Sequence, residues 1–341
     1  MFGNRIGWLL SCVIVLFTGG LMYYLYTVGQ PSGPTELGKN AAKYTMQLPV
    51  PPVSVADFMK DATDSSATYR EAIEEYLQNR DTYDPFLEKT EVFAPYFPRY
   101  DERTKTTTPP RKEPPTFKLV TLVLAGRTSN KALVLTPDLK DVIDAKNLEH
   151  PRVKALRAAG NVTLKVGQIY KAREDLAKAQ EHYEAAFSLG VKMYDERLVY
   201  FEVDAAMGLM GGAATMLQRL ATERKDATRA AAWKEFDVAR QQYAGKDIDL
   251  VRKGVRNLNN AHAGDMLALA TSAGDRMWKV EALLALARVK FTAADMGDQR
   301  GARRLLERLA KDATDPAIKE AAREGADLDT PGFHSIRALS D

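Results

Sequence analysis

Few residues in this chain have the types and spacing that chemistry requires. The four histidines, His150, His182, His262 and His334, include no pair at metal-ligand spacing. The single cysteine, Cys12, lies inside an apolar run, which excludes both a cysteine zinc site and an internal disulfide framework. Glu202 and Asp204 stand in the otherwise apolar stretch from Val199 to Leu209, where a buried carboxylate acquires acid–base character. Two residues apart on a helix, they point to different sides and do not form a working pair. His262, in the run NNAHAGD with Asn259, Asn260 and Asp265, fits a polar helix turn, and His182 is expected on a helix surface. Gly208, Gly211 and Gly212 lack the preceding strand and the lysine of a phosphate loop and suit close helix packing or a kink. Arg303, Arg304 and Arg308 form the kind of basic patch that a solvated helix face carries. The sequence therefore assigns no catalytic residue, no cofactor site and no metal site.

The elements that hold these residues are helical. Val162, Val166, Ile169 and Tyr170 recur at three- and four-residue spacing; after the polar turn Arg173-Glu174-Asp175 the pattern restarts with Leu176, Ala179, Tyr183 and Ala186. Two helices joined by so short a turn must approach closely. Gly167 and Ala179 give them room, and Tyr170, Tyr183 and Phe187 fill the space beside the contact. This order of small and large residues resembles the tetratricopeptide repeat: Gly167 takes the small position of its first helix and Tyr170 the aromatic one. Ala179 takes the small position of the second helix, followed by Tyr183 and Ala186. Val191 stands where the repeat's closing proline falls, and Thr163 replaces a large apolar residue. Near the C-terminus the pattern returns: Trp278, Ala282, Ala285 and Val289 form a stripe and Gly297-Asp298 a turn. Ala302, Leu305, Leu306 and Leu309 form a second stripe before Asp315-Pro316. The resemblance implies a mainly α fold, a tetratricopeptide-like superhelix of about four helix pairs over residues 145–327, with a concave face that binds another protein. Residues 328–341 form a tail.

Lys and Arg total 48 against 45 Asp and Glu, a formal charge of +3 over 341 residues, so no nucleic-acid partner is expected. The 23 residues from Ile6 to Val28 carry no charge and, at about 1.5 Å each, reach roughly 34 Å as a helix, enough for a hydrocarbon core of about 30 Å. Trp8 lies near one end and Tyr23, Tyr24 and Tyr26 near the other, where rings sit at the two membrane interfaces. This reads as an uncleaved signal anchor: a single-pass transmembrane helix with its short N-terminus inside. In a bacterial inner membrane that places the bulk of the chain in the periplasm.

Between anchor and helices, residues 29–116 read as a proline-rich tether with short helices, one over residues 67–80 with Tyr69, Ile73, Tyr76 and Leu77 on one face. Its last part, Thr104–Pro115, reads as an extended spacer. The runs Phe117–Leu124 and Ala132–Pro137, around Gly126–Asn130, predict a small β-hairpin over 117–137. Asp84-Pro85-Phe86, the spacer and these two runs resemble, over residues 84–138, the inner-membrane assembly subunits of type IV pili and type II secretion systems. The expected function is thus a membrane-anchored scaffold that binds another protein through its helical domain. The alternatives are a structural subunit of a pilus or secretion-like envelope assembly, and an enzyme with an unrecognised site. The identity of the partner and the oligomeric state are not legible in the sequence.

Overall fold

The computed structural model describes residues 33–43, 58–133, 150–243, 262–292 and 296–327. The expected membrane helix, with Trp8, Tyr23, Tyr24 and Tyr26, lies outside them, as does the tail 328–341. Among the described residues no helix is long and apolar enough to cross a membrane. The described chain is mainly α-helical. Short N-terminal elements, α1 (Glu36–Lys39), β1 (Asp61–Asp64), α2 (Ser66–Gln78), α3 (Arg80–Glu88), α4 (Thr90–Phe93), β2 (Arg99–Asp101), β3 (Thr106–Thr108), α5 (Lys118–Ala125) and β4 (Ser129–Lys131), precede eight longer helices. These are α6 (Pro151–Ala172), α7 (Leu176–Glu196), α8 (Tyr200–Glu223), α9 (Ala227–Tyr243), α10 (Ala263–Ser272), α11 (Arg276–Thr292), α12 (Met296–Asp312) and α13 (Pro316–Asp327).

Local chemistry sets the helix ends. Pro151 occupies the first turn of α6, where its missing N–H costs nothing, and His150 Nδ1 caps it by accepting the Arg152 N–H at 3.3 Å. Asp175, Asp226, Asp275 and Asp315 each accept a backbone N–H from the helix they precede. The turns before α7 and α9 pass through Glu174 (φ 65°) and Lys225 (φ 59°), left-handed positions filled here by charged residues instead of glycine.

Helix α7 is the centre of the N-terminal half. Ala179, Tyr183, Ala185, Ala186, Phe187, Leu189, Met193 and Tyr194 are all buried, because α6, α8 and α5 surround it. Each of its large apolar side chains contributes roughly 1.5–3 kcal/mol by burial. A Cβ on Gly167 would lie 2.6 Å from Tyr183 Cε1, and one on Gly190 would lie 2.8 Å from Met210 Cγ. Glycine is what allows α6 and α8 to approach α7 this closely. The remaining residues of the expected small–large pattern, Ala179 and Ala186, are fully buried, and Tyr170 stands with its ring 5.0 Å from that of His182. In the C-terminal half Ala302, Leu306 and Leu309 are buried on α12, as the second stripe requires. Gly297 and Asp298, expected in a turn, belong to the first turn of α12 itself.

The region before the helices departs from expectation in three ways. The run Phe117–Leu124 is not a strand: Lys118–Ala125 forms α5, with Leu119, Val120 and Val123 buried against α2, α6 and α7. A short, almost continuous apolar run has no distinguishing period, so tertiary packing decides its conformation. No 117–137 hairpin therefore forms among the described residues; Ser129–Lys131 instead pairs in parallel with Asp61–Asp64, and residues 134–137 lie outside the description. Second, much of the expected tether is packed into the helical body. Tyr69, Ile73, Tyr76, Tyr83 and Phe86 are buried, and Phe86, Phe93, Tyr96 and Phe117 form an edge-to-face cluster with centroid distances of 5.0–5.9 Å. Third, the expected spacer begins as a strand: Thr106–Thr108 pairs antiparallel with Arg99–Asp101, and Glu113 is tied to Arg173 at 2.7 Å.

Candidate functional site

Three constellations concentrate polar chemistry, and they do different work. The first is a groove of about 340 Å³ between α7, α8 and α9. Its apolar floor is Leu217, Leu220, Ala221 and Trp233, with Phe58 entering from the N-terminal segment. One wall is a chain of hydrogen bonds: Arg127 donates to Glu184 Oε2 (2.7 Å), Gln180 donates to Glu184 Oε1 (2.6 Å), and Arg224 donates to Gln180 and to the Leu176 carbonyl. Arg229 and Asp226 pair at 3.5 Å on the opposite rim. Trp233 is held by Phe187, with centroids 5.1 Å apart. An apolar floor with an already satisfied polar rim offers affinity for an apolar side chain and orientation for the backbone that carries it. Nothing in it is arranged as a nucleophile with its base.

The second constellation joins the two halves of the helical array. Helix α7 ends at Arg197 (φ 23°, ψ 63°), whose Nε pairs with Asp275 Oδ2 at 3.0 Å. The Tyr200 N–H donates to Glu281 Oε1 at 2.7 Å, Arg276 donates to the Glu196 carbonyl, and the Tyr200 ring stacks on Trp278 at 6.2 Å. Buried at the centre is Glu202. Its Oε2 accepts the Leu198 N–H at 2.7 Å, its Oε1 has no hydrogen-bond partner among the described residues, and the Glu196 carboxyl is near enough to act on it by charge. Burial first, then the Glu196 charge, pushes Glu202 well above the ordinary carboxylate range, while the Leu198 N–H and Arg276 pull the other way. A carboxyl whose folded pKa is raised stabilises the fold fully below its unfolded value near 4.5; that contribution is lost as pH rises through the folded value.

The third is Lys192, 1% exposed on α7. Its Nζ donates to the Gly126 carbonyl (2.5 Å), Ser188 Oγ (2.7 Å) and Tyr69 Oη (3.2 Å). Gly126 caps the C-terminus of α5, so the ammonium sits where the helix dipole favours a cation. Burial nevertheless lowers its pKa to about 7. Lys192 is a brace between α2, α5 and α7.

The residues singled out in the sequence are dispersed. Glu202 is fully buried, whereas Asp204 is about half exposed and faces Arg157 at 3.7 Å, so the two do point to different sides of α8. His262 precedes the first residue of α10. His182 is not on a helix surface: it is buried against α6, with Nδ1 2.7 Å from the Lys178 carbonyl, and burial lowers its pKa. Arg303 and Arg308 pair along α12 with Glu307 and Asp312 on an exposed face. Gly208, Gly211 and Gly212 lie inside α8, where Gly211 packs under Arg240. Among the described residues no group of three or more His, Cys, Asp or Glu side chains is placed to hold a metal ion. Sequence reasoning missed Lys192, Glu196 and the Arg127–Glu184 pair, whose partners lie 57 to 123 residues away or only become neighbours at a helix corner. In comparisons with known proteins, no family model, curated protein or solved structure matches this chain.

Proposed function

We propose that this chain is a membrane-anchored protein–protein interaction scaffold of the bacterial envelope, and that the α7–α8–α9 groove docks an apolar side chain of its partner. The groove carries the reading: it is concave, floored by Leu217, Leu220, Ala221 and Trp233, and rimmed by polar groups that already have partners. A tetratricopeptide-like superhelix is the finer statement of the fold. The small–large contact of Gly167 with Tyr183 supports it. The lengths of α6, α7 and α8, 22, 21 and 24 residues, make the N-terminal units longer than the 34-residue repeat allows, whereas α10 to α13 run only 10 to 17 residues. The pilus or secretion-subunit alternative leaned on a strand at Phe117–Leu124, and that run is helix α5. An enzyme reading would gain from Glu202, Asp204 and His262 meeting in one pocket; Glu202 is buried and Asp204 faces Arg157 on the exposed side of α8.

A test is co-purification of the tagged full chain from detergent-solubilised membranes. Ala221→Phe, which fills the groove from its floor, is expected to reduce capture of a specific protein at least about tenfold, and Val238→Ser, outside the groove, to leave it unchanged. Equal capture by all three chains would sink the groove assignment.

The segment Thr35–Gly38, in the expected tether, is clamped to the helical body. Asp265, 1% exposed on α10, accepts the Thr35 N–H (2.7 Å), the Thr35 hydroxyl (2.7 Å) and the Gly38 N–H (2.9 Å). Seven chain steps, through six intervening residues, join Val28 to Thr35, an extended reach of at most about 25 Å. If residues 6–28 span the bilayer, α10 rides within that distance of it. Asp265→Ala leaves three donors without their acceptor and is expected to abolish hydrogen-exchange protection of residues 37–43 while α6–α9 keep theirs. Unchanged protection of 37–43 would contradict the clamp.

A further inference from the structure

The two-stranded ribbon β2–β3 projects from the body with every residue exposed and with Tyr100, 56% exposed, at the middle of β2. Its register is Arg99↔Thr108, Tyr100↔Thr107 and Asp101↔Thr106, so β3 occupies one edge of β2. No other strand pairs with β2 among the described residues. All three β2 residues are exposed and line a groove of about 1070 Å³, whose other walls include Phe93, Phe97, Gln168 and, from β3, Thr108. A free edge on an exposed strand is a template for another strand.

The sequence of that edge specifies which strand fits. Arg99-Tyr100-Asp101 is a palindrome in charge. Laid antiparallel against a second copy of itself about Tyr100, it sets Arg99 of each copy opposite Asp101 of the other and Tyr100 opposite Tyr100. These are the opposite-charge and aromatic cross-strand pairs that stabilise antiparallel sheets. Arg99 makes no ion pair within 4.0 Å among the described residues, though its charge acts on Asp101 of the same strand; Asp101 Oδ1 accepts the Arg103 and Thr104 N–H groups of the turn. Pro98 and Pro109 flank the ribbon and stop the pairing from spreading along either strand. A self-complementary edge closes on itself as a twofold pair and does not propagate.

We propose that two copies of this chain pair edge to edge through β2, antiparallel about a twofold axis at Tyr100, to make a four-stranded sheet β3–β2–β2–β3. The contact is small, so it forms a weak dimer strengthened wherever the chains are concentrated on one surface. It is independent of what the α7–α8–α9 groove binds.

The full chain, purified in mild detergent with Cys12→Ser, provides the test. Tyr100→Cys on this background is expected to cross-link chain to chain under mild oxidation or with a short bis-maleimide, and Thr107→Cys, on the outer strand, at least about tenfold less. By sedimentation, Arg99→Asp sets acid against acid twice and weakens the dimer at least about tenfold, as Asp101→Arg does with the opposite sign. The double swap Arg99→Asp with Asp101→Arg keeps the palindrome and restores it. Equal cross-linking at 100 and 107, or a swap that fails to rescue, would overturn the proposal.

Discussion

Replacing Trp278 by alanine is expected to cost about 3–5 kcal/mol and to separate the unfolding of the two halves. Trp278 is 2% exposed and stacks on Tyr200, the first residue of α8. Around it run the hydrogen bonds between residues 150–243 and 262–327 found among the described residues: Arg197 to Asp275, Tyr200 to Glu281, and Arg276 to the carbonyls of Asp195 and Glu196. Elsewhere the two sets of helices share few contacts. Truncation leaves a cavity the size of an indole beside a buried ionic cluster, and water entering it weakens the charge pairs as well as the packing. In the parent, tryptophan fluorescence, to which Trp8, Trp233 and Trp278 all contribute, and far-ultraviolet circular dichroism should report one urea transition. In Trp278→Ala the dichroism should show an earlier loss of α10–α13 while Trp233 stays buried. A single coincident transition shifted by less than about 1 kcal/mol would show that the halves are joined elsewhere.

The second large effect is a pH dependence from Lys192. Its pKa is about 7 in the fold and 10.5 when the chain is unfolded, so between these values the unfolded chain binds the extra proton. Stability therefore rises with pH, by up to about 1.4 kcal/mol per unit and about 3 kcal/mol between pH 7 and 9.5. Below pH 7 both states are charged and the cost of burying the ammonium is present in full. Above pH 10 the sign reverses. Burial, helped by carboxylate neighbours, raises Tyr76 and Tyr83 to about 12, and burial raises Tyr69, Tyr183 and Tyr194 further still. Ionisation of the unfolded chain then lowers stability. Lys192→Met should erase the rise between pH 7 and 9.5 and keep the fall above 10, measured by urea unfolding at each pH. A rise of the same size in the variant would assign it to another group.

How much of this was legible in the sequence depends on the range of the interaction. The α6–α7 hairpin was readable because its determinants are local: a helical stripe on each side of Arg173–Asp175, and a glycine where Tyr183 needs space. The second stripe, on α11 and α12, follows from the same period, whereas the helices between were less legible. Helix α5 was not readable as a helix, since eight mostly apolar residues satisfy a strand and a buried helix equally and only α2, α6 and α7 decide between them. The β1–β4 pairing joins segments more than 60 residues apart with no turn signal between them. The charged residues of the joint look in sequence like ordinary helix-end residues; Glu196, Arg197, Asp275 and Arg276 become a buried cluster only where α7, α8 and α11 meet. Lys192 did leave a trace. The run Ala185–Met193 is apolar on nearly every face, the mark of a central helix, and a lysine within it has no solvent to reach.

The central claim, that the α7–α8–α9 groove receives a partner, is tested most directly by site-specific photo-cross-linking in intact cells. A photoreactive side chain at Arg229, on the groove rim, is compared with one at Val238, exposed on the same helix but outside the groove. The account predicts a discrete adduct with another protein from position 229 that disappears when Ala221→Phe fills the floor, and none from position 238. Adducts of equal yield from both positions, or an adduct from 229 that survives Ala221→Phe, would contradict it.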